Sequence, residues 1–267
     1  MMTSAFGLSP SHRELLISAV QREFLQRHQG ALLGATWSIL QPLALIAIYT
    51  LVFSKVMQGR MPGVTGEFGY SLYLCAGLLP WGFFAEGLAR GQNAFLEHAG
   101  LLRRTQVPLM LPPVAALMGA GLNFVIIGSL FALVLALLGS LPSPQGLVLF
   151  ATALVIQVWM ALALGVLLGA LTVFFRDIAP ATGLLLQFGF WFTPIVYPVQ
   201  VLPSWAADVL GWVNPMFHLV AWHQAAVLHQ PMPDPSTLLP SLVWAMLATL
   251  ATWGLLRRHG AEIPDLV

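Results

Sequence analysis

Residues 109–138 read LMLPPVAALMGAGLNFVIIGSLFALVLALL, thirty consecutive positions without a charged side chain. About 20 apolar residues in a helix cross the roughly 30 Å hydrocarbon core of a bilayer. Lipid offers no hydrogen-bond partner, so a spanning segment must satisfy its own backbone groups. A barrel strand would alternate apolar and polar positions, and the run from Ile126 to Leu138 does not alternate. This stretch is therefore expected to be a membrane-spanning helix.

Working outward, five more stretches meet the same criterion, near 34–54, 70–91, 147–175, 178–198 and 237–256. The expected fold is an all-α integral membrane protein with six transmembrane helices. Spans three and four exceed the required length, which predicts tilt or extension beyond the bilayer. The composition agrees: 58% of residues are hydrophobic and 8% charged, with a mean hydropathy of +0.83. Soluble domains carry about 25% charged residues, so lipid must be the solvent of most of this surface. A net charge of +1 with one lysine, Lys55, offers no footprint for nucleic acid. The single cysteine, Cys75, excludes an internal disulfide. The mixed charges Arg13, Glu14, Arg22 and Glu23 do not resemble a cleaved secretory signal.

The basic residues fix the orientation. Arg13, Arg22 and Arg27 precede the first span; Arg90 lies at the end of the second, with Arg103 and Arg104 in the loop after it; Arg176 separates the fourth and fifth; Arg257 and Arg258 follow the sixth. Only Lys55 and Arg60 fall on the opposite side. Cytoplasmic loops are enriched in Lys and Arg, so both termini are expected in the cytoplasm. The predicted organisation is a cytoplasmic N-terminus over 1–30, a six-span transmembrane domain over 31–256, and a cytoplasmic tail over 257–267.

Three segments outside the spans carry information. Residues 11–29 open with Ser11 and Glu14 in capping-box spacing. Leu16, Ile17, Val20 and Phe24 then share one helical face, which predicts an amphipathic helix in the membrane interface; a soluble helix capping the bundle is the alternative. In the loop 92–108, Asn93 to Leu102 reads as a short helix followed by Arg103 and Arg104. It suits docking to a soluble partner, or it is a loop whose arginines simply obey the charge bias. The segment 199–236 has no Lys or Arg and contains Trp205, Trp212 and Trp222. Ser204 to Val213 and Met216 to His229 are too apolar for solvated loops and too short to span, so two re-entrant external helices are expected beside a pathway exit.

The chain lacks the lysine-containing phosphate loop of a nucleotide-binding protein, and no metalloprotease or nucleophile-elbow spacing occurs. His218 and His223, five apart, do not share a helix face as metal ligands would, so no metal site and no catalytic residue is expected. Glu86 and Arg90, inside span two, have the favourable i,i+4 order and read as a self-neutralising pair. Arg176-Asp177 reads as an interface anchor. A proton relay would need several carboxylates near the midplane, and the spans do not supply them. Phe83, Phe84, Phe190, Trp191 and Phe192 gather in two spans near Pro80, Trp81 and Pro194. Aromatic faces stack on sugar rings while permitting sliding, and they also pack against lipid.

Two stretches resemble one family. RELLISAVQREFLQRHQGALLGATWSILQPLALIAIYTLVFSKV, residues 13–56, is similar to the start of polysaccharide ABC transporter permeases, with Gly34, Trp37, Leu40 and Pro42 in their first-span pattern. FFRDIAPATGLLLQFGFWFTPIVYPVQVLP, residues 174–203, resembles the fifth-span region, and Asn214-Pro215 the motif after it. Within the family the likeness is to permeases exporting lipid-linked O-antigen across the inner membrane of a bacterium. The resemblance implies a homodimer bound to two copies of a cytoplasmic ATPase, which alone binds ATP and Mg, and a substrate on an undecaprenyl carrier. It implies a substrate path past Tyr49, Trp81, Phe84, Trp191, Phe192 and Tyr197. It also implies a coupling element formed by Asn93, Glu97, His98, Leu101, Leu102, Arg103 and Arg104. Capsule polymer, teichoic acid or a small lipophile are alternative cargoes. A glycolipid-processing enzyme is the rival from another class, and would need a cluster of acids or histidines that the sequence does not show.

Overall fold

A computed structural model describes residues 68–104 and 107–267, together with the isolated positions Thr36, Leu40, Ala44 and Ile48. The predicted interface helix, most of the first span including Tyr49, and most of the segment 55–69 that follows it lie outside the described residues. The long helices among the described residues follow from runs the sequence marks as apolar, and the regular elements among those residues are all helical. They are α1 (Gly69–Glu97), α2 (Ala99–Arg104), α3 (Leu111–Leu137), α4 (Pro144–Phe174), α5 (Ile178–Phe192), α6 (Ser204–Val213), α7 (Phe217–Val227), α8 (Leu239–His259) and α9 (Ile263–Leu266).

Among the described residues four helices are long and apolar enough to cross a membrane: α1, α3, α4 and α8 with the turn that leads into it. The chain is thus a helical multi-pass membrane protein. Helix boundaries follow local chemistry. Pro112 and Pro113 open α3, where a missing N–H costs nothing. Gly139, at φ +66°, ends it in a left-handed turn, with Ser140 N–H donating to Leu135 O at 2.8 Å and Gly139 N–H to Ala136 O at 3.1 Å. Ser143 then caps α4 by accepting from Gly146 N–H at 3.1 Å, and Pro144 takes the first helical position.

The fifth predicted span is shorter than the sequence suggested. Helix α5 holds 15 residues, about 22 Å at 1.5 Å per residue. It stops because Pro194 has no N–H and forces Thr193 out of the helical region, to φ −96° and ψ 136°. Thr193 to Val196 continue as buried irregular backbone.

Helix α1 is the centre of the bundle, packed on α3, α4 and α7. Its approach to α4 is set by small residues: Gly91 on α1 faces Gly165 and Gly169 on α4, and Gly87, one turn earlier, faces Leu117 on α3. A methyl group on Gly91 would lie 3.0 Å from Gly165 Cα, and one on Gly169 would lie 2.8 Å from Gly91 O. Paired small-xxx-small stripes let membrane helices touch along their backbones. The two predicted external helices part company. Helix α7 is buried along nearly its whole length, whereas α6 buries only Gly211 and exposes Trp205, Val209, Trp212 and Val213.

Candidate functional site

Residues 193–197 interrupt the bundle between α5 and the α6–α7 pair; side chains from α1 and α7 satisfy their carbonyls, and a third, from the α6–α7 junction, holds the Thr193 hydroxyl. From α1, the Tyr73 hydroxyl lies 2.9 Å from both Pro194 O and Tyr197 O, and the Tyr70 hydroxyl donates to Val196 O at 3.1 Å. From α7, Gln224 Nε2 donates to Pro194 O at 3.0 Å. From the α6–α7 junction, Asn214 Nδ2 donates to Thr193 Oγ1 at 2.7 Å, while Asn214 Oδ1 accepts from Met216 N–H at 3.0 Å. Non-helical backbone at membrane depth survives only when protein or a watered path surrounds it. This polar collar supplies the protein side.

A second polar chain locks α7 into the core. Gln157, fully buried on α4, donates to Pro80 O at 2.8 Å and stands 3.0 Å from His223 Nε2. The His223 ring meets Phe150 edge-on at 4.5 Å between centroids. These groups tie the α1 proline to the helix that follows the collar. Nothing in the sequence alone paired Gln157 with His223, whose separation is 66 positions.

The aromatic residues expected along a path fall into two sets. Trp81 and Phe84 are buried, at 7% and 4% exposure, with centroids 6.0 Å apart. Phe190 bridges outward, edge-on to Trp81 at 6.1 Å and to Trp191 at 5.3 Å. Trp191 and Phe192 are 55% and 51% exposed. Tyr197 is half-buried, and its hydroxyl donates to Trp191 O at 2.8 Å. An aromatic ladder therefore climbs from the α1 core to the open face of α5, where only Thr182 is buried. Trp81 rests on Gly189, where a methyl group would lie 3.0 Å from the indole. Tyr49 lies outside the described residues.

Glu86 and Arg90 form the expected ion pair on α1. Asn123 on α3 donates to the second Glu86 oxygen at 2.8 Å, so the pair also joins two helices. Arg176 and Asp177 are exposed at the α4–α5 turn. The segments bearing Arg103, Arg176, Arg257 and Arg258 meet at one end of the bundle, where α1, α2, α4, α8 and α9 share an apolar cluster. This is the basic end.

At that end the predicted 93–104 helix is divided. Asn93 and Glu97 belong to the last turns of α1, His98 makes the break, and α2 carries Leu101 to Arg104. The seven candidate coupling residues do not share one surface. Leu102 is buried in the basic-end cluster, and Leu101 is half-buried against Leu111 and Ala115 at the start of α3. The outward positions are Leu96, Glu97, Gly100 and Arg103; Leu96 and Gly100 were not among those expected. Asn93 donates to Ala89 O at 3.0 Å and His98 Nδ1 lies 3.0 Å from Ala94 O, so both serve the helix end itself.

These features define a helical membrane protein in which an interrupted helix meets an aromatic face, with a short helix at the basic end. Comparison with known sequences gives the particular family. The chain belongs to the ABC-2 type transporter family, whose pattern it matches over residues 14–228. It is 30% identical over 243 residues to the O-antigen export system permease protein RfbA of Myxococcus xanthus, covering 91% of this chain and 90% of that one. It is 27% identical over 212 residues to the RfbA of Klebsiella pneumoniae, covering 74% and 78% respectively. It is 22% identical over 207 residues to the polysialic acid transport protein KpsM of Escherichia coli, covering 78% of each.

Proposed function

We propose that this chain is the transmembrane subunit of an ATP-driven exporter of lipid-linked polysaccharide, of the O-antigen type. The observation that carries the reading is the likeness to the Myxococcus permease, which runs through 91% of this chain and 90% of that one. Membership in the ABC-2 type family supports a separate ABC ATPase as the source of energy, since this chain has no phosphate loop of its own. The working unit is a homodimer of six-span subunits in the inner membrane, both termini cytoplasmic, with two ATPase subunits below it. The ATPases bind ATP and Mg.

In this reading the outward residues of the α1 end and α2 receive the ATPase, and α1 carries the movement through the glycine crossing to α4. The bundle then opens beside α5, and the glycan on its undecaprenyl carrier passes Trp191, Phe192 and Tyr197. Trp81 and Phe84 support those rings from behind. Such coupling requires ATP to shift the open–closed balance, typically by about 1–3 kcal/mol per linked event. The likeness to the polysialic acid transport protein KpsM favours a polymer of the polysialic acid kind as the second cargo class.

The test is native mass spectrometry of the tagged chain extracted gently from its host. Two copies with two ATPase subunits and a bound lipid-linked glycan is the expected result, and the glycan mass distinguishes O-antigen from a polymer of the polysialic acid kind. Recovery without an ATPase after crosslinking would remove the energy source and with it the exporter reading.

A further inference from the structure

The short helix α9 has no role in the reading above, yet it and the residue after it bury two side chains at the basic end. Ile263 is fully buried and Val267 nearly so, in one cluster with Phe95, Leu102, Val166 and Ala170. Helix α9 packs against α2 on one side and α4 on the other. It is folded back from α8 by a tight turn in which Glu262 N–H donates to His259 O at 3.0 Å and the Glu262 carboxylate lies 3.1 Å from His259 Nδ1. The same His259 ring meets Phe174, at the end of α4, at 5.7 Å.

Helix α2 has six residues, and isolated helices below about 12 residues are marginal in water. Its place must come from packing. The inward anchor is Leu102, whose neighbours in the cluster come from the end of α1, from α4 and from α9. Without α9 the outer side of that socket would be open.

We infer that Ile263 and Val267 are positioning residues for energy coupling, seating α2 on α4 so that force on α2 moves α4 and α8 together. The inference rests on α2 receiving the ATPase. It assigns to the C-terminal segment a task in transmission: the segment keeps the docking helix from swinging independently of the bundle. Ile263 and Val267 touch neither cargo nor nucleotide in this scheme. They act through Leu102.

The experiment uses the whole complex, this chain with its ATPase, comparing Ile263→Asp, Val267→Asp, Ile263→Leu and the milder Ile263→Ala. Polysaccharide export, membrane-inserted protein, co-purified ATPase and ATP hydrolysis are measured on each. The expected result for both aspartate variants is ATPase retained, hydrolysis within twofold of the parent and export down at least tenfold, so that more ATP is spent per polymer. Ile263→Leu should recover at least half of the export. Wild-type export in both aspartate variants would overturn the inference. So would loss of the protein from the membrane in both Ile263→Asp and Ile263→Ala, which would make α9 a folding element only. Failure of the underlying reading shows separately: if Arg103→Glu binds the ATPase and exports normally, α2 is not the docking element, and the transmission role falls with it.

Discussion

Gly91 and Gly165 stand where α1 and α4 cross, and a methyl group added to either would come within 3.4 Å of the other's Cα. The neighbouring atoms are backbone, which cannot rotate away as a flexible side chain does. Gly91, Gly165 and Gly169 thus set the distance between the central helix and its longest partner. Just beyond them, Gln92 Nε2 donates to Thr172 Oγ1 at 3.1 Å, and that bond depends on the same close approach.

The crossing predicts that Gly91→Ala destabilises the protein although alanine is the better helix former. Overpacking costs about 1–3 kcal/mol, against about 1 kcal/mol of gained helix propensity. Gly82, on the same helix, has open space around it, so Gly82→Ala should be neutral or stabilising. Thermal melting of the detergent-extracted protein, followed by size-exclusion chromatography, separates the two. A Gly91→Ala midpoint at or above that of the parent would show that the helices can part at no cost.

Asn214 is expected to hold the collar together. Asn214→Leu leaves the Thr193 hydroxyl with one partner fewer and Met216 N–H without its acceptor, both in buried positions. An unsatisfied buried polar group costs about 1–3 kcal/mol. Interhelical side-chain bonds in membranes average about 0.6 kcal/mol, with about 1.7 at most. A double-mutant cycle with Thr193→Val should therefore give a coupling of about that size, and a coupling near zero would mean the collar is held by its apolar packing alone.

The collar marks where sequence reading stopped. Long apolar runs made α1, α3, α4 and α8 legible, because lipid leaves a helix as the only economical backbone. Ser204–Val213 was legible to the residue, since Pro203 and Asn214-Pro215 punctuate it. The end of α5 was not: composition stays apolar through Val196, and only Pro194 carries the break. That Tyr70, Tyr73 and Gln224 converge on those carbonyls depends on separations of 30 to 126 positions, which no periodicity encodes. Composition likewise gave α6 and α7 the same reading, and burial separates them. At the basic end, Leu102 looked like part of a docking face beside Arg103 and Arg104, but helical spacing turns it inward while Arg103 stays exposed.

The aromatic ladder makes a prediction that separates path from scaffold. Trp191→Ala and Phe192→Ala remove rings that are half exposed, so stability should change by less than about 1 kcal/mol, while export slows several-fold if the polymer slides on them. Trp81→Ala empties a buried site, a change that costs about 3–5 kcal/mol, and its export should fall in proportion to the protein lost from the membrane. Export per inserted molecule is the quantity to compare. If Trp191→Ala and Phe192→Ala together leave it unchanged, the exposed face of α5 meets lipid or another helix and not the cargo.

Arg103 and Leu102 are neighbours in sequence with opposite fates, and that difference tests the docking surface. Arg103 is exposed beside Leu96, Glu97 and Gly100, so Arg103→Glu should leave the fold intact while reversing the charge offered to the ATPase. A tenfold loss of partner binding corresponds to about 1.4 kcal/mol, well within what one reversed charge at an interface can remove. Leu102→Ala, in the buried cluster, should instead lower thermal stability by about 2–5 kcal/mol before it affects ATPase capture. Co-purification of the ATPase and the melting midpoint, measured on the same two variants, should therefore move in opposite patterns. Loss of ATPase from Leu102→Ala with Arg103→Glu unaffected would show that capture follows the integrity of the basic-end cluster and that α2 is not the docking element.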